Sequence, residues 1–405
     1  GLIFDRKLSF VPHIKYLKTK CLKALNLIKV VSNRDWGADR GVFLQLYRSL
    51  IRSKLDYGSI VYGSARPSYL QMLEPVQNQG LRLCLGAFRT SPADSLHVEA
   101  NEPPLNIRRT KLSLQFALKL YATPNNPTYN SVFNPKYKLL YENKPNAIHS
   151  FGIRILPHLE ATGLDLNNMA KFSFSNIPPW HIQPPKIIFD LANNKKADTS
   201  PELFINKFHE IKSKYPGYDF VYTDGSKDGD KAGAAAVTDI LSFKSRLPDK
   251  SSVFSSEIRA INSALDYIET AHNNKFVICS DSLSSLQALH SCKIDNPIIL
   301  HTLTQLHHLQ NRKPNKKIFC WLPIHIGIRG NEKADEAAKA ALDRPVCNFK
   351  VPYSDYRQYT NEYIIQLWQN NWDQSITNKL HEIKPTLGEW ASSKRPARRD
   401  EIVLS

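Results

Sequence analysis

Phe220-Val221-Tyr222-Thr223 is a run of β-prone residues that delivers a carboxylate, Asp224, to a point where Gly225 and Ser226 are expected to turn the chain. An acid at the end of such a run is ordinary turn chemistry when it stands alone. Three further acids follow, each in a setting where a carboxylate is awkward. Within Ser255–Ile268, steps of three and four place Glu257, Ile261, Ala264, Leu265 and Ile268 on one helical face, so this acid shares the stripe that packs. Asp281 ends Phe276-Val277-Ile278-Cys279-Ser280, an apolar run of buried-strand length, and Ser282 is placed to cap the helix carrying Leu283, Leu286 and Leu289. A strand over Lys317–Leu322 then leads through a glycine-bearing loop to a helix that Asn331 would cap, with Asp335, Ala338 and Leu342 on one face.

Four inward-pointing acids repel one another and lose hydration unless positive charge neutralises them. All-oxygen ligation points to Mg²⁺ or Mn²⁺, and no Cys or His stands at the spacing zinc requires. Two such ions about 3.5 to 4 Å apart are the recurring apparatus for displacement at a phosphodiester.

Tyr-Thr-Asp-Gly-Ser, a helical Glu, Ser-Asp-Ser, and Trp-Leu-Pro-x-His-x-Gly-x-x-Gly-Asn-Glu-x-Ala-Asp, in that order, resemble the type I ribonuclease H family. More narrowly they are similar to the version near the carboxyl end of jockey-type non-LTR retrotransposon polyproteins. The resemblance implies that Asp224, Glu257, Asp281 and Asp335 bind the metals and that His325 assists proton movement or product departure. It also implies substrate contacts for Gly225, Ser226, Ser282 and Asn331 near the scissile phosphate and its sugars. Where the family usually carries Gly or Ser before the histidine, this chain has Ile324. The expected fold is α/β, a ribonuclease H-like five-stranded mixed sheet with flanking helices, preceded by a basic helical domain and followed by a short helical tail. The implied reaction is hydrolysis of the RNA strand of an RNA–DNA hybrid with two Mg²⁺ ions, leaving 5′-phosphate and 3′-hydroxyl ends. The alternative is an inactive retroelement remnant that only binds nucleic acid.

Charge separates the regions. The chain has 405 residues and a formal charge of +17, of which +11 falls in residues 1–120, while residues 218–343 are neutral. A polyanion held by the amino-terminal region would bind through counterion release, without sequence readout. Residues 1–120 read as basic amphipathic helices: His13–Val30 with Ile14, Leu17, Cys21, Leu22, Leu25 and Ile28; Val42–Leu55; and Tyr69–Leu85. Leu55-Asp56-Tyr57-Gly58, Tyr62-Gly63-Ser64, Val76-Gln77-Asn78 and Glu102-Pro103-Pro104-Leu105 resemble the thumb-like region that follows a reverse transcriptase palm. The palm itself is not expected, because no Asp-Asp pair occurs in the sequence.

Residues 121–215 are rich in Pro and Asn and read as a connector of short packed pieces, with Trp180 as a docking contact. Residues 216–345 form the expected nuclease-like domain. Residues 346–405, with Trp368, Gln369, Trp372, Lys384-Pro385 and Ser392-Ser393, resemble the helices that follow it in the family. Both ends, Gly1-Leu2-Ile3 and Ile402-Val403-Leu404, read as cut from something longer. Six cysteines without a CxxC pair imply reduced thiols in a nuclear or cytoplasmic setting, and no apolar run suits membrane insertion or secretion.

Overall fold

A computed structural model describes residues 1–32, 37–144, 148–172, 177–193, 198–312 and 316–390; Ser392 and Ser393 lie outside them. Two compact units are present. Of the described residues, one comprises those within 1–121, 125–164 and 357–390, and the other those within 122–124 and 165–356.

The first unit is helical. Helix α1 (Val11–Val31) buries Ile14, Leu17, Cys21, Leu25 and Ile28 on one stripe, whereas Leu22 falls outside it and is exposed. Helix α2 (Arg40–Tyr47) runs into a π-type turn, Arg48–Arg52, and α3 (Glu74–Leu85) completes a core that includes Phe43, Tyr47, Ile51, Val76 and Leu81. The extra residue of a π turn re-aims side chains. Here Arg48 and Arg52 both reach the buried carboxylate of Glu102, at 2.5 and 2.8 Å. We expect Glu102→Ala to destabilise this unit by about 2–3 kcal/mol, less than for a fully buried pair because Arg48 is partly solvated. Urea denaturation followed by circular dichroism measures it.

Helices α4 (Leu105–Tyr121) and α5 (Phe151–Ala161) pack on one another in the same unit, and the helix Arg357–Asp373 packs on α4. The described parts of the segment read as a connector of short packed pieces are divided between the two units. Residues 125–164 add helices to the first unit, and α5 continues through Pro157. Residues 357–390, read as a tail, cluster with this unit as well. Trp180 is 80 % exposed.

The second unit is a mixed sheet of six strands in the order β1-β6-β5-β2-β3-β4. They are β1 (Ile187–Ile188), β2 (Asp219–Asp228), β3 (Lys231–Val237), β4 (Ser242–Leu247), β5 (Lys275–Ser280) and β6 (Lys316–Trp321). The expected count was five. The sixth is β1, two residues of the Pro/Asn-rich segment that pair in parallel with Phe319 and Cys320 and cover the edge of β6. Strand β5 is apolar from Phe276 to Cys279 because neighbours flank it on both sides and helices cover both faces.

Helices α6 (Pro201–Ser213) and α10 (Arg329–Ala340) share a core with Tyr222 on one face of the sheet. Helices α7 (Val253–Thr270), α8 (Leu283–His290) and α9 (Pro297–Arg312) pack on the other. Strand β2 does not turn at Gly225-Ser226. It continues paired to β3 as far as Asp228, and the turn expected at Gly225-Ser226 is made instead at Gly229, with φ of 55°. No described helix is long and apolar enough to cross a membrane.

Candidate active site

Parallel pairing of β2 with β5 sets Thr223 opposite Ser280, so the next residues, Asp224 and Asp281, stand abreast on the two central strands. Thr223 is fully buried and its hydroxyl donates to the Cys279 carbonyl at 3.0 Å, which ties the strands together just before the acids. Glu257 comes from α7, one turn into the helix. Its approach depends on Gly225: a Cβ there would stand 2.6 Å from the Glu257 backbone nitrogen and 2.8 Å from Ser256 Cβ.

Carboxylate oxygens of Asp224, Glu257 and Asp281 all lie within 4.8 Å of one another. The three residues are only 7 %, 5 % and 9 % exposed. Asp335 belongs to a neighbouring group with His325 and Glu332 and is held by Lys339 at 2.8 Å. Three of the four expected acids thus form one nest, and the fourth borders it closely enough for its charge to act on Asp224 and Asp281.

Burial, and then the charges of Asp281 and Asp335, push the Asp224 carboxyl up to about 7. Burial together with Asp224 and Asp281 raises Glu257 well above the ordinary range. Burial raises Asp281 too, against the opposing hydrogen bond from Asn331. Among the described residues no lysine or arginine forms an ion pair with any of the three. Glu257 Oε2 is buried without a hydrogen-bond partner. An orphaned carboxylate oxygen within a cluster of hard oxygen donors fits a divalent cation of the Mg²⁺ or Mn²⁺ type.

A dependence on pH follows. Each carboxyl binds its proton more tightly folded than unfolded, so the metal-free protein loses stability as pH rises from about 4 to about 7. Cations that neutralise the nest should restore what is lost. We expect the rise in melting temperature on adding 10 mM Mg²⁺, taken as a probe concentration of about that order, to be small at pH 5 and several degrees at pH 8. Differential scanning calorimetry at the two pH values checks it.

Asn331 does not cap its helix. Ile328 occupies that position, and the Asn331 amide is buried and donates to Asp281 Oδ2 at 3.1 Å. Ser282 sits at the start of α8, but its hydroxyl bonds Ser285 Oγ at 2.9 Å and no backbone N–H. Gly225 and Ser226 lie on β2 beside the nest, paired with Ala234 and Gly233. His325 is exposed, has a φ of 51°, and stands 3.9 Å from Glu332.

Several residues contribute beyond those given a role above, three of them positions of the Trp321–Asp335 motif and one, Asp355, far from it. Glu332 accepts from the Gly327 N–H at 3.3 Å and so closes the histidine loop. Gly330 lets α10 press on Tyr222, whose ring would lie 2.3 Å from a Cβ at that position. Trp321 Nε1 donates to the Asp281 carbonyl at 3.0 Å. Asp355 accepts from Ser252 N at 2.8 Å and Ser252 Oγ at 3.0 Å, pinning the start of the helix that presents Glu257.

Comparison with known proteins bears on this region alone. Residues 218–343 match the family model for RNase H. The matched stretch contains all four acids and His325. LC11-RNase H1, isolated from compost by a metagenomic approach, is a solved structure that aligns over 31 % of this chain and 96 % of its own, with 18 % identity and a TM-score of 0.27. No curated protein matches the chain. The stretch that matches the RNase H model begins one residue before β2 and ends just after α10. Strand β1, helix α6 and Asp355 lie outside it and complete the sheet edge, one helical layer and the seat of α7.

Proposed function

We propose that the RNase H domain hydrolyses the RNA strand of RNA–DNA hybrids with the aid of divalent cations. The observation that carries this reading is the nest of three buried carboxylates, one with an unmet oxygen, inside the stretch that matches the RNase H model. Asp224, Glu257 and Asp281 would hold two Mg²⁺ or Mn²⁺ ions, with Asp335 completing the ligation. Such ions, when bound, neutralise the nest, polarise the scissile phosphodiester and lower the pKa of the attacking water.

The remaining work falls to the chain. Asn331 fixes the Asp281 carboxylate, and burial with a backbone hydrogen bond from Gly225 restrains Asp224 and Glu257. His325, on an exposed loop and steadied by Glu332, would carry a proton between its ring nitrogens and solvent as product leaves. Gly225 and Ser226 would present backbone and hydroxyl groups to the substrate strand, and Ser282 a hydroxyl. The basic amino-terminal helices would hold nucleic acid nearby, which raises the local concentration of substrate. A basic helical unit ahead of an RNase H domain also supports an origin in a non-LTR retrotransposon polyprotein of the jockey type.

End-labelled RNA presented as a hybrid, as a single strand and as an RNA duplex tests the reading in Mg²⁺ buffer. Only the hybrid should be cut, leaving 5′-phosphate and 3′-hydroxyl ends. Equal cutting of all three, or of plain DNA duplex in preference, would contradict it.

A further inference from the structure

Helix α4 carries two consecutive arginines that meet opposite fates. Arg108 is neutralised by Asp56, with Nε and Nη2 donating at 3.1 and 2.7 Å. Arg109 has no ion pair among the described residues, and its Nη1 is buried without a partner. Arg154, on α5, turns toward the same place. Its Nη1 donates to the Gly63 carbonyl at 2.9 Å, while Arg109 Cδ lies 3.8 Å from where a Cβ on Gly63 would stand. Arg154 Nε is likewise buried and unpartnered.

The Arg154 guanidinium and the Arg109 side chain therefore meet at one glycine turn, and neither arginine forms an ion pair among the described residues. Burial holds both below the ordinary guanidinium value, and the charge of Arg109 lowers Arg154 further. Tyr62 and Glu74 offset the cost at Arg109 only in part. The Tyr62 hydroxyl donates to the Leu55 carbonyl, and Glu74 forms no ion pair with Arg109 among the described residues. Arg109 Nε and Nη2 and Arg154 Nη2 meet no protein acceptor. Beside the pair, Phe116 and Phe151 stack edge to face at 5.6 Å, with the Arg154 guanidinium 6.0 Å from the Phe151 ring and Phe116 38 % exposed.

Like charges kept together, with forked donors to spare, match the geometry of a phosphate. We propose that Arg109 and Arg154 clamp one phosphate group, with Phe116 and Phe151 as the apolar wall against which the rest of the bound molecule lies. The +11 charge of residues 1–120 favours a phosphodiester of a nucleic-acid strand over a free phosphate compound. The inference deepens the reading that the basic helices hold nucleic acid, and it does not depend on the cleavage chemistry.

Fluorescence anisotropy of a labelled hybrid and a labelled single strand, with the full chain in EDTA so that nothing is cut, tests it. The variants are Arg154→Gln, Arg109→Gln/Arg154→Gln and Arg109→Lys/Arg154→Lys. The double glutamine variant should bind about tenfold more weakly at low salt, with a salt slope reduced by about 1 to 2. The double lysine variant, which keeps the charge and loses the fork, should fall between. Arg154→Gln should melt within about 2 °C of wild type, because it relieves repulsion, whereas an arginine with a structural role would cost more. Thermal shift with inorganic pyrophosphate separates the sources. If pyrophosphate stabilises wild type but not the glutamine variants while strands bind all proteins alike, the site serves a free phosphate compound. Equal strand binding by all proteins with no pyrophosphate effect overturns the clamp and leaves the basic helices as a diffuse binding surface. If wild type binds neither strands nor pyrophosphate, the clamp and the wider reading both fall.

Discussion

Asp224→Asn should reduce hybrid cleavage by at least about a thousandfold and, in the absence of metal, raise the melting temperature by several degrees. Opposite effects on activity and stability are the signature of a charge kept for chemistry. The Asp224 carboxyl is buried between Glu257 and Asp281, and its elevated proton affinity, about 7 against an ordinary 3.8, measures how unwelcome its charge is. That difference corresponds to an upper limit of about 4 kcal/mol at pH 8, of which relaxation would leave a part. Asparagine keeps the shape, removes the charge, and supplies N–H groups to its carboxylate neighbours. Adding Mg²⁺ should close the gap or reverse it, because the variant lacks a ligand. Single-turnover cleavage and calorimetry with and without EDTA give both halves. A variant that cuts normally, or that melts well below wild type in EDTA, would contradict the account.

Gly225→Ala should be nearly as damaging for a different reason. The added methyl would meet backbone, the Glu257 nitrogen at 2.6 Å and the Ser256 carbonyl carbon at 2.9 Å, and backbone cannot swing aside. Helix α7 must then move off β2, carrying Glu257 out of the nest. Overpacking of this kind costs about 1–3 kcal/mol. Displacing a ligand by about 1 Å should lower cleavage by about a hundredfold. Unlike Asp224→Asn, this variant loses stability with or without metal. Urea denaturation beside the cleavage assay distinguishes the two.

Much of the site was legible because its acids occupy positions that patterns of burial forbid. Asp281 follows an apolar strand and Glu257 shares an apolar helical stripe, so each asked for a compensating charge, and in three dimensions they meet. Periodicity also located the stripes of α1 and α3, apart from Leu22, which lies one residue round the helix from Cys21 and is exposed. What escaped notice were contacts between distant segments. Strand β1 is two residues long and becomes a strand only because β6 offers it an edge. Asn331 looked like a cap because capping is the commonest use of Asn near a helix start, yet tertiary demand from Asp281 took its amide. Prolines suggested a connector of short packed pieces without regular helix through them, yet Pro157 is accommodated within α5, and nothing local announces that α5 supplies Arg154 to the turn at Gly63.

The account rests on cations filling the nest, and anomalous diffraction from crystals grown with Mn²⁺ tests this most directly. It predicts density about 2.0–2.3 Å from carboxylate oxygens of Asp224, Glu257 and Asp281, with Glu257 Oε2 among the ligands. Manganese absent from the nest, or found only between His325 and Glu332 while the three acids stand unbridged, would contradict it.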